Sequence, residues 1–243
     1  MINLHFIHGF LGFPSDWNIF IDDFKNYHYT FHSITNFMSQ SNQYDKSYFN
    51  SWAYNFNSSI FREKSSSKNI LVGYSLGGRL ALHSLVNTNF WDGAIIISAN
   101  PGLTNESEKQ ARIANDNSWA NRFQNENWND VINAWNSQGV FSNMQNTLSR
   151  EEKLFNKNEV VNMLKEFSLG KQEDLRGKIK ALNIPILWIA GEKDAKFVKV
   201  AQEMHELSKN IDLKIIKDAG HRVPWENPND FKKACLDFIG KIE

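Results

Sequence analysis

Gly73-Tyr74-Ser75-Leu76-Gly77 sets a serine between two glycines at the spacing of a nucleophile elbow, a sharp strand-to-helix turn that holds a hydroxyl at the end of a parallel strand. Bulky side chains two residues away would collide with the adjoining strand and helix, and Gly73 and Gly77 remove those collisions. A serine hydroxyl is a weak nucleophile and a weak base until an imidazole accepts its proton. His221 is the candidate, because Asp218-Ala219-Gly220-His221 follows a strand-like run and forms a loop at the carboxyl edge of a sheet. His5 lies within the first strand and His83 well along the helix after Ser75, so both fit less well. The imidazole needs an acid to fix its tautomer and stabilise its protonated form. Asp194 closes a strand running into a loop between the serine and the histidine, with Glu192 and Asp218 as competing carboxylates. Oxyanion donors are expected at the backbone N–H of Leu76 and at that of Phe10, in the loop Gly9-Phe10-Leu11-Gly12 after the first strand. His8 is read as bracing that loop.

Holding these groups together requires parallel strands whose carboxyl ends lie side by side. Strands are expected near 2–7, 28–34, 69–74, 93–98, 185–190 and 212–217, and helices at 16–25, 43–63, 76–88, 197–208 and 229–241. The alternation predicts one α/β domain over 1–243, a mostly parallel sheet flanked by helices. It breaks at about 101–178, after the fourth strand, where the pattern is helical and carries Trp119, Trp128 and Trp135 with Arg112, Arg122 and Arg150. A helical insertion above the carboxyl ends of such a sheet lies where α/β sheets bind ligands, which predicts a lid; a helical extension that only adds core is the alternative. Trp52, Phe56 and Ile60 read as core, and the serines at 65–67 as a loop.

Lys and Arg total 27, as do Asp and Glu, so no global basic field draws in nucleic acid or an anionic membrane. The apolar runs, such as Ala94 to Ile97, are far too short to span a bilayer. No Lys or Arg precedes Lys25, unlike the charged start of a secretory signal. Cys235 is the single cysteine, and helical spacing turns it inward. The expectation is a soluble cytoplasmic protein, monomeric or a small homo-oligomer.

These motifs resemble the α/β-hydrolase superfamily over nearly the whole chain. A narrower resemblance, to the MenH-type 2-succinyl-6-hydroxy-2,4-cyclohexadiene-1-carboxylate synthases of menaquinone and phylloquinone biosynthesis, rests on several stretches. They are 73–79, 100–103, Arg112 with Asp116, Trp119, Arg122 and Phe123, then Trp135, Val140-Phe141, 168–172 and 191–197. The resemblance implies a lyase that eliminates pyruvate from a cyclohexene bearing succinyl and enolpyruvyl groups, with no cofactor and no metal. Ser75, assisted by His221 and Asp194, would remove a ring proton beside the succinyl ketone, and the oxyanion donors would hold the enolate. A substrate with three carboxylates requires fixed cations on a protein of zero net charge. Arg79 lies one helical turn after Ser75. Arg112 and Lys196 match basic positions the family uses, and Tyr74 and Trp135 match its aromatic or polar contacts. The family's third lid arginine has no clear counterpart, Arg150 being the nearest choice, and 35–42 lacks the Leu-Pro-Gly-His-Gly text common in the superfamily. Those departures keep two other readings open, a carboxylesterase or related serine hydrolase and a non-catalytic binding protein of the same fold.

Overall fold

The computed structural model describes residues 1–38, 47–61, 67–141 and 144–242. Its sheet has the strands β1 (Ile2–Ile7), β2 (His28–His32), β3 (Lys68–Tyr74), β4 (Gly93–Ile97), β5 (Ile186–Gly191) and β6 (Ile211–Ile216). They are all parallel, in the order β2-β1-β3-β4-β5-β6. β4 and β5 are buried along their whole length and β3 nearly so, giving continuous apolar runs such as Ile95-Ile96-Ile97, as expected of parallel strands covered on both faces. The order reverses at β1, with β2 on one side and β3 on the other, so a crevice opens beyond the carboxyl ends of β1 and β3. Ser75 follows β3 and Phe10 follows β1, one on each lip of that crevice.

Two cores hold the sheet. On one face Trp52 and Phe56 of α1 (Tyr48–Phe61), Leu80 and Ala81 of α2 (Leu76–Val86) and Met204 of α7 (Ala195–Leu207) pack on Leu71, Ile96 and Trp188. On the other, Trp17, Phe20 and Phe24 join Phe231, Cys235 and Phe238 of α8 (Pro228–Ile239) against Phe6, Val72 and Ile95. Cys235 is fully buried, and burial pushes its thiol pKa up, which keeps it protonated and unreactive.

The insertion after β4 comprises α3 (Glu106–Asn125), α4 (Trp128–Asn136), α5 (Lys157–Glu166) and α6 (Arg176–Lys180). Phe123, Trp128, Val131, Val160 and Leu164 form a third core there, and Leu11 from the loop after β1 belongs to it. The insertion therefore grips the loop that carries Phe10.

Several boundaries differ from the sequence expectation. The 16–25 helix is a 3-10 helix over Pro14–Phe20, started by Pro14 and by the Asp16 carboxylate accepting the Phe13 N–H; its buried Trp17 and Phe20 sit three apart, matching three residues per turn. β2 ends at His32 instead of 34, because a second 3-10 turn, Ile34–Phe37, begins there and the Ile34 N–H donates to the His8 ring. α7 begins at Ala195, two residues early, since Asp194 is its N-cap. Residues 43–46 and 62–63 of the expected 43–63 helix, 39–42 of the atypical segment and 65–66 of the serine loop lie outside the described residues.

Candidate active site

Ser75 has φ 52° and ψ −111°, a conformation that side chains other than glycine rarely adopt. It is held there by its N–H donating to the Ile97 carbonyl at 2.9 Å and by its own carbonyl accepting from the Arg79 N–H at 3.0 Å. The turn is tight enough that a Cβ on Gly77 would overlap the carbonyls of Ile7 and His8.

Beside the elbow stands a connected line of three side chains. The Ser75 hydroxyl is 3.1 Å from His221 Nε2, and His221 Nδ1 is 2.7 Å from Asp194 Oδ2. His221 and Asp194 are 4% and 5% exposed, dry enough to make that charge-assisted bond strong. With Nδ1–H donating to the carboxylate, Nε2 is left to accept the serine proton. Asp194 also caps α7, its Oδ1 accepting the Phe197 N–H at 3.4 Å, where the helix N-terminus favours negative charge. The competing acids are elsewhere engaged: Glu192 accepts the Asp218 N–H at 3.1 Å, and Asp218 lies 3.6 Å from Lys193. His5 and His83 are buried in the sheet and in α2, away from the serine.

Leu76 opens α2, so its N–H has no partner within the helix, and the Phe10 N–H donates to no loop carbonyl among the described residues. His8 fixes the Phe10 loop with both ring nitrogens: Nδ1–H donates to the Gly9 carbonyl at 2.8 Å and Nε2 accepts the Ile34 N–H at 3.2 Å. Burial lowers its pKa to about 4, so it is a neutral brace at neutral pH.

The close packing at Gly191 gives a first test. A Cβ there would overlap the carbonyls of Ala219 and Gly220, the segment that delivers His221. Gly191→Ala is expected to cost about 1–3 kcal/mol in urea unfolding and to lower activity by shifting His221 off Asp194. Gly177→Ala, whose Cβ meets nothing within 4 Å, is the neutral control; equal stability of the two variants would contradict this reading.

Ser75 stands between two cavities. The larger, about 270 Å³, is bounded by Ser75, His221, Arg79, Arg112, Trp135 and Lys196, which unites most of the residues singled out in the sequence. Arg79 is anchored by the Phe167 carbonyl at 2.8 Å; burial, with Arg112 alongside, lowers its pKa to about 9, and it stays cationic at neutral pH. Arg112 is oriented by Asp116, with its Nε 2.8 Å from Oδ2. Tyr74 departs from the expected arrangement. It borders only the smaller cavity, about 70 Å³, where it packs edge-on to Trp225 at 5.0 Å. Arg150 borders that cavity too, bound to Asp16 through two nitrogens at 3.2 and 2.7 Å.

The sequence reading missed Ser98, Phe197 and Arg222. Ser98 lies in the larger cavity at positive φ, just past β4, and Phe197 packs on His221 at 4.7 Å. Arg222, next to the histidine, borders the smaller cavity. Adjacency to His221 was a signal for Arg222 alone; Ser98 and Phe197 became visible only with the strand ends assembled.

A doubly covered parallel sheet with a positive-φ serine at the end of β3, bonded through a histidine to an acid after β5, defines an α/β-hydrolase-fold enzyme. The chain belongs to the alpha/beta hydrolase family, which residues 6–234 match. Among its relatives is a protein of Haemophilus influenzae provisionally named a 2-succinyl-6-hydroxy-2,4-cyclohexadiene-1-carboxylate synthase, 36% identical over 259 aligned positions that cover 100% of this chain and 99% of that one. A Klebsiella pneumoniae protein of the same name is 37% identical over 175 positions, covering 70% of this chain and 67% of its own. The solved structure of MenH from S. aureus superposes with a TM-score of 0.86 at 24% identity, over 99% of this chain and 94% of that chain, a likeness of fold.

Proposed function

We propose that this protein is a 2-succinyl-6-hydroxy-2,4-cyclohexadiene-1-carboxylate synthase, a carbon–oxygen lyase of menaquinone biosynthesis acting in the cytoplasm. The observation that carries the reading is the cationic ring of Arg79, Arg112 and Lys196 in the cavity over Ser75 and His221. An uncharged ester has no use for such a cluster of cations, whereas a substrate bearing several carboxylates needs one. The names of the relatives supply the substrate class independently.

In this reading Ser75, Asp194 and His221 are the catalytic residues. The serine oxygen takes the proton from the ring carbon bearing the succinyl group as its own proton passes to His221 Nε2, and Asp194 stabilises the imidazolium. The electrons move onto the succinyl ketone oxygen, held by the Leu76 and Phe10 N–H groups. They then return through the ring as the carbon–oxygen bond to the enolpyruvyl group breaks; the departing enolate gains a proton and leaves as pyruvate. No acyl-enzyme forms. Trp135 and Tyr74 line the substrate's surroundings, and the insertion at 101–178 serves as the cap.

The test incubates purified protein with 2-succinyl-5-enolpyruvyl-6-hydroxy-3-cyclohexene-1-carboxylate and follows pyruvate, beside a panel of short aryl esters. Pyruvate release is expected; brisk ester cleavage without it would establish a carboxylesterase instead. Arg79→Ala and Arg112→Ala should each lower kcat/KM by about 10–100-fold, the worth of a hydrogen bond to a charged partner, while leaving cleavage of any uncharged ester nearly unchanged. Equal losses on both substrates would argue against carboxylate binding by these residues.

A further inference from the structure

The smaller cavity beside Ser75 contains a buried cation whose donors are not all satisfied. Arg222 is 6% exposed and its guanidinium lies 3.9 Å over the Phe141 ring. Its Nη2 donates to Asn136 Oδ1 at 2.5 Å, but its Nη1 is buried and has no hydrogen-bond partner among the described residues. A charged donor left bare in a dry site is costly, and such groups in folded proteins are paired unless a ligand completes them.

Neither carboxylate nearby supplies the partner. Asp16 is held by Arg150 and by the Phe13 N–H. Glu226 accepts the Gly220 N–H through Oε2 at 2.6 Å and leaves Oε1 buried without a partner; it attracts the Arg222 charge from a distance but makes no ion pair with it. Tyr74, the other ionisable group on the cavity wall, keeps its proton because burial raises its pKa. The remaining wall mixes the rings of Phe10, Trp135 and Phe141 with Asn146 and the paired Arg150, and the cavity reaches Ser75. A ligand bound here therefore has three properties: it is small, it is anionic at one end, and its other end abuts the serine.

We propose that this cavity is the subsite for the carboxylate of the three-carbon enolpyruvyl group, with Arg222 Nη1 as its donor and Asn136 as the residue that positions the guanidinium. The proposal rests on the lyase reading for the identity of the ligand. It divides the substrate's charges: the larger cavity with Arg79, Arg112 and Lys196 takes the succinyl and ring carboxylates, and the smaller takes the leaving group. Pyruvate then departs from a compartment of its own, and Arg222 holds the leaving group's carboxylate while the carbon–oxygen bond breaks.

Pyruvate binding, followed by tryptophan fluorescence or calorimetry, tests this without turnover. Arg222→Gln is expected to weaken pyruvate binding by about tenfold or more, the effect of losing one charge-assisted hydrogen bond, while binding of succinate in the larger cavity is unchanged. Arg222→Lys should recover part of the loss. Unchanged pyruvate affinity in Arg222→Gln, or equal losses for pyruvate and succinate, would overturn the assignment. Should the variants fail to fold, a wild-type crystal soaked in pyruvate decides the question: a carboxylate against Arg222 supports the subsite, and one found only beside Arg79 and Arg112 refutes it. Wild-type protein that binds pyruvate through Arg222 yet releases none from the cyclohexene substrate would retain the subsite and reject the lyase.

Discussion

Replacing Ser75 with alanine is expected to lower the rate of pyruvate release about 10³-fold, within the range that positioned acid–base groups contribute, while substrate binding changes little. In the proposed mechanism the hydroxyl is the atom through which the proton reaches His221, 3.1 Å away, and no other side chain among the described residues is hydrogen-bonded to that ring nitrogen. The imidazole stays fixed by its 2.7 Å bond to Asp194, so the loss reads the serine itself and not a collapsed site. Stability gives an internal control. Alanine at φ 52° is as strained as serine, so Ser75→Ala should melt near the wild type, whereas Ser75→Gly should lose the same activity and melt higher, because glycine adopts that conformation freely. Ser75→Ala that keeps most of its pyruvate release in single-turnover measurements would remove the serine from the mechanism.

The second large effect is on stability against acid. Burial lowers the pKa of four histidines from 6.5, to about 4 for His5 and His8 and to about 3 for His32 and His83. His32 is further disfavoured as a cation by His5, which it stacks on and meets at 3.1 Å, and His83 by Arg79 and Lys178. Below pH 6.5 the unfolded chain binds protons at these positions and the folded chain does not until about pH 4 or lower. Stability is therefore full above pH 6.5 and is lost as the pH falls through that window. Each proton bound only by the unfolded chain contributes about 1.4 kcal/mol per pH unit, so four of them give a slope of about 5 kcal/mol per pH unit near pH 5. Against a typical total of about 5–15 kcal/mol, the fold should be lost before pH 4. Urea midpoints between pH 7.5 and pH 4.5 measure the slope, and a flat profile from pH 7 to pH 5 would contradict it.

Much of this architecture is legible in the sequence, because it rests on local patterns. The six strands announce themselves as short apolar runs, and the elbow glycines, Asp194 and His221 fall at strand ends in the order the fold requires. Sequence reasoning fails where tertiary contacts decide. Arg150 has the look of a free lid cation, yet it is bonded to Asp16, 134 residues earlier in the chain, and no local pattern shows that pairing. The start of α7 is set by an acid that must also orient His221, so its boundary answers to the site and not to periodicity. The third core under the insertion draws in Leu11 from the loop after β1, a contact that gives the insertion a hold on the loop of Phe10 and that spacing alone cannot reveal.

In the proposed mechanism the Ser75–His221–Asp194 line moves a carbon-bound proton and attacks no carbonyl. The most direct test is single-turnover pyruvate release from 2-succinyl-5-enolpyruvyl-6-hydroxy-3-cyclohexene-1-carboxylate, ordinary or deuterated at the ring carbon bearing the succinyl group. Distinctly slower release from the deuterated substrate is expected, with no covalent adduct on Ser75 by mass spectrometry. Equal rates for the two substrates, together with an acylated Ser75, would contradict that mechanism.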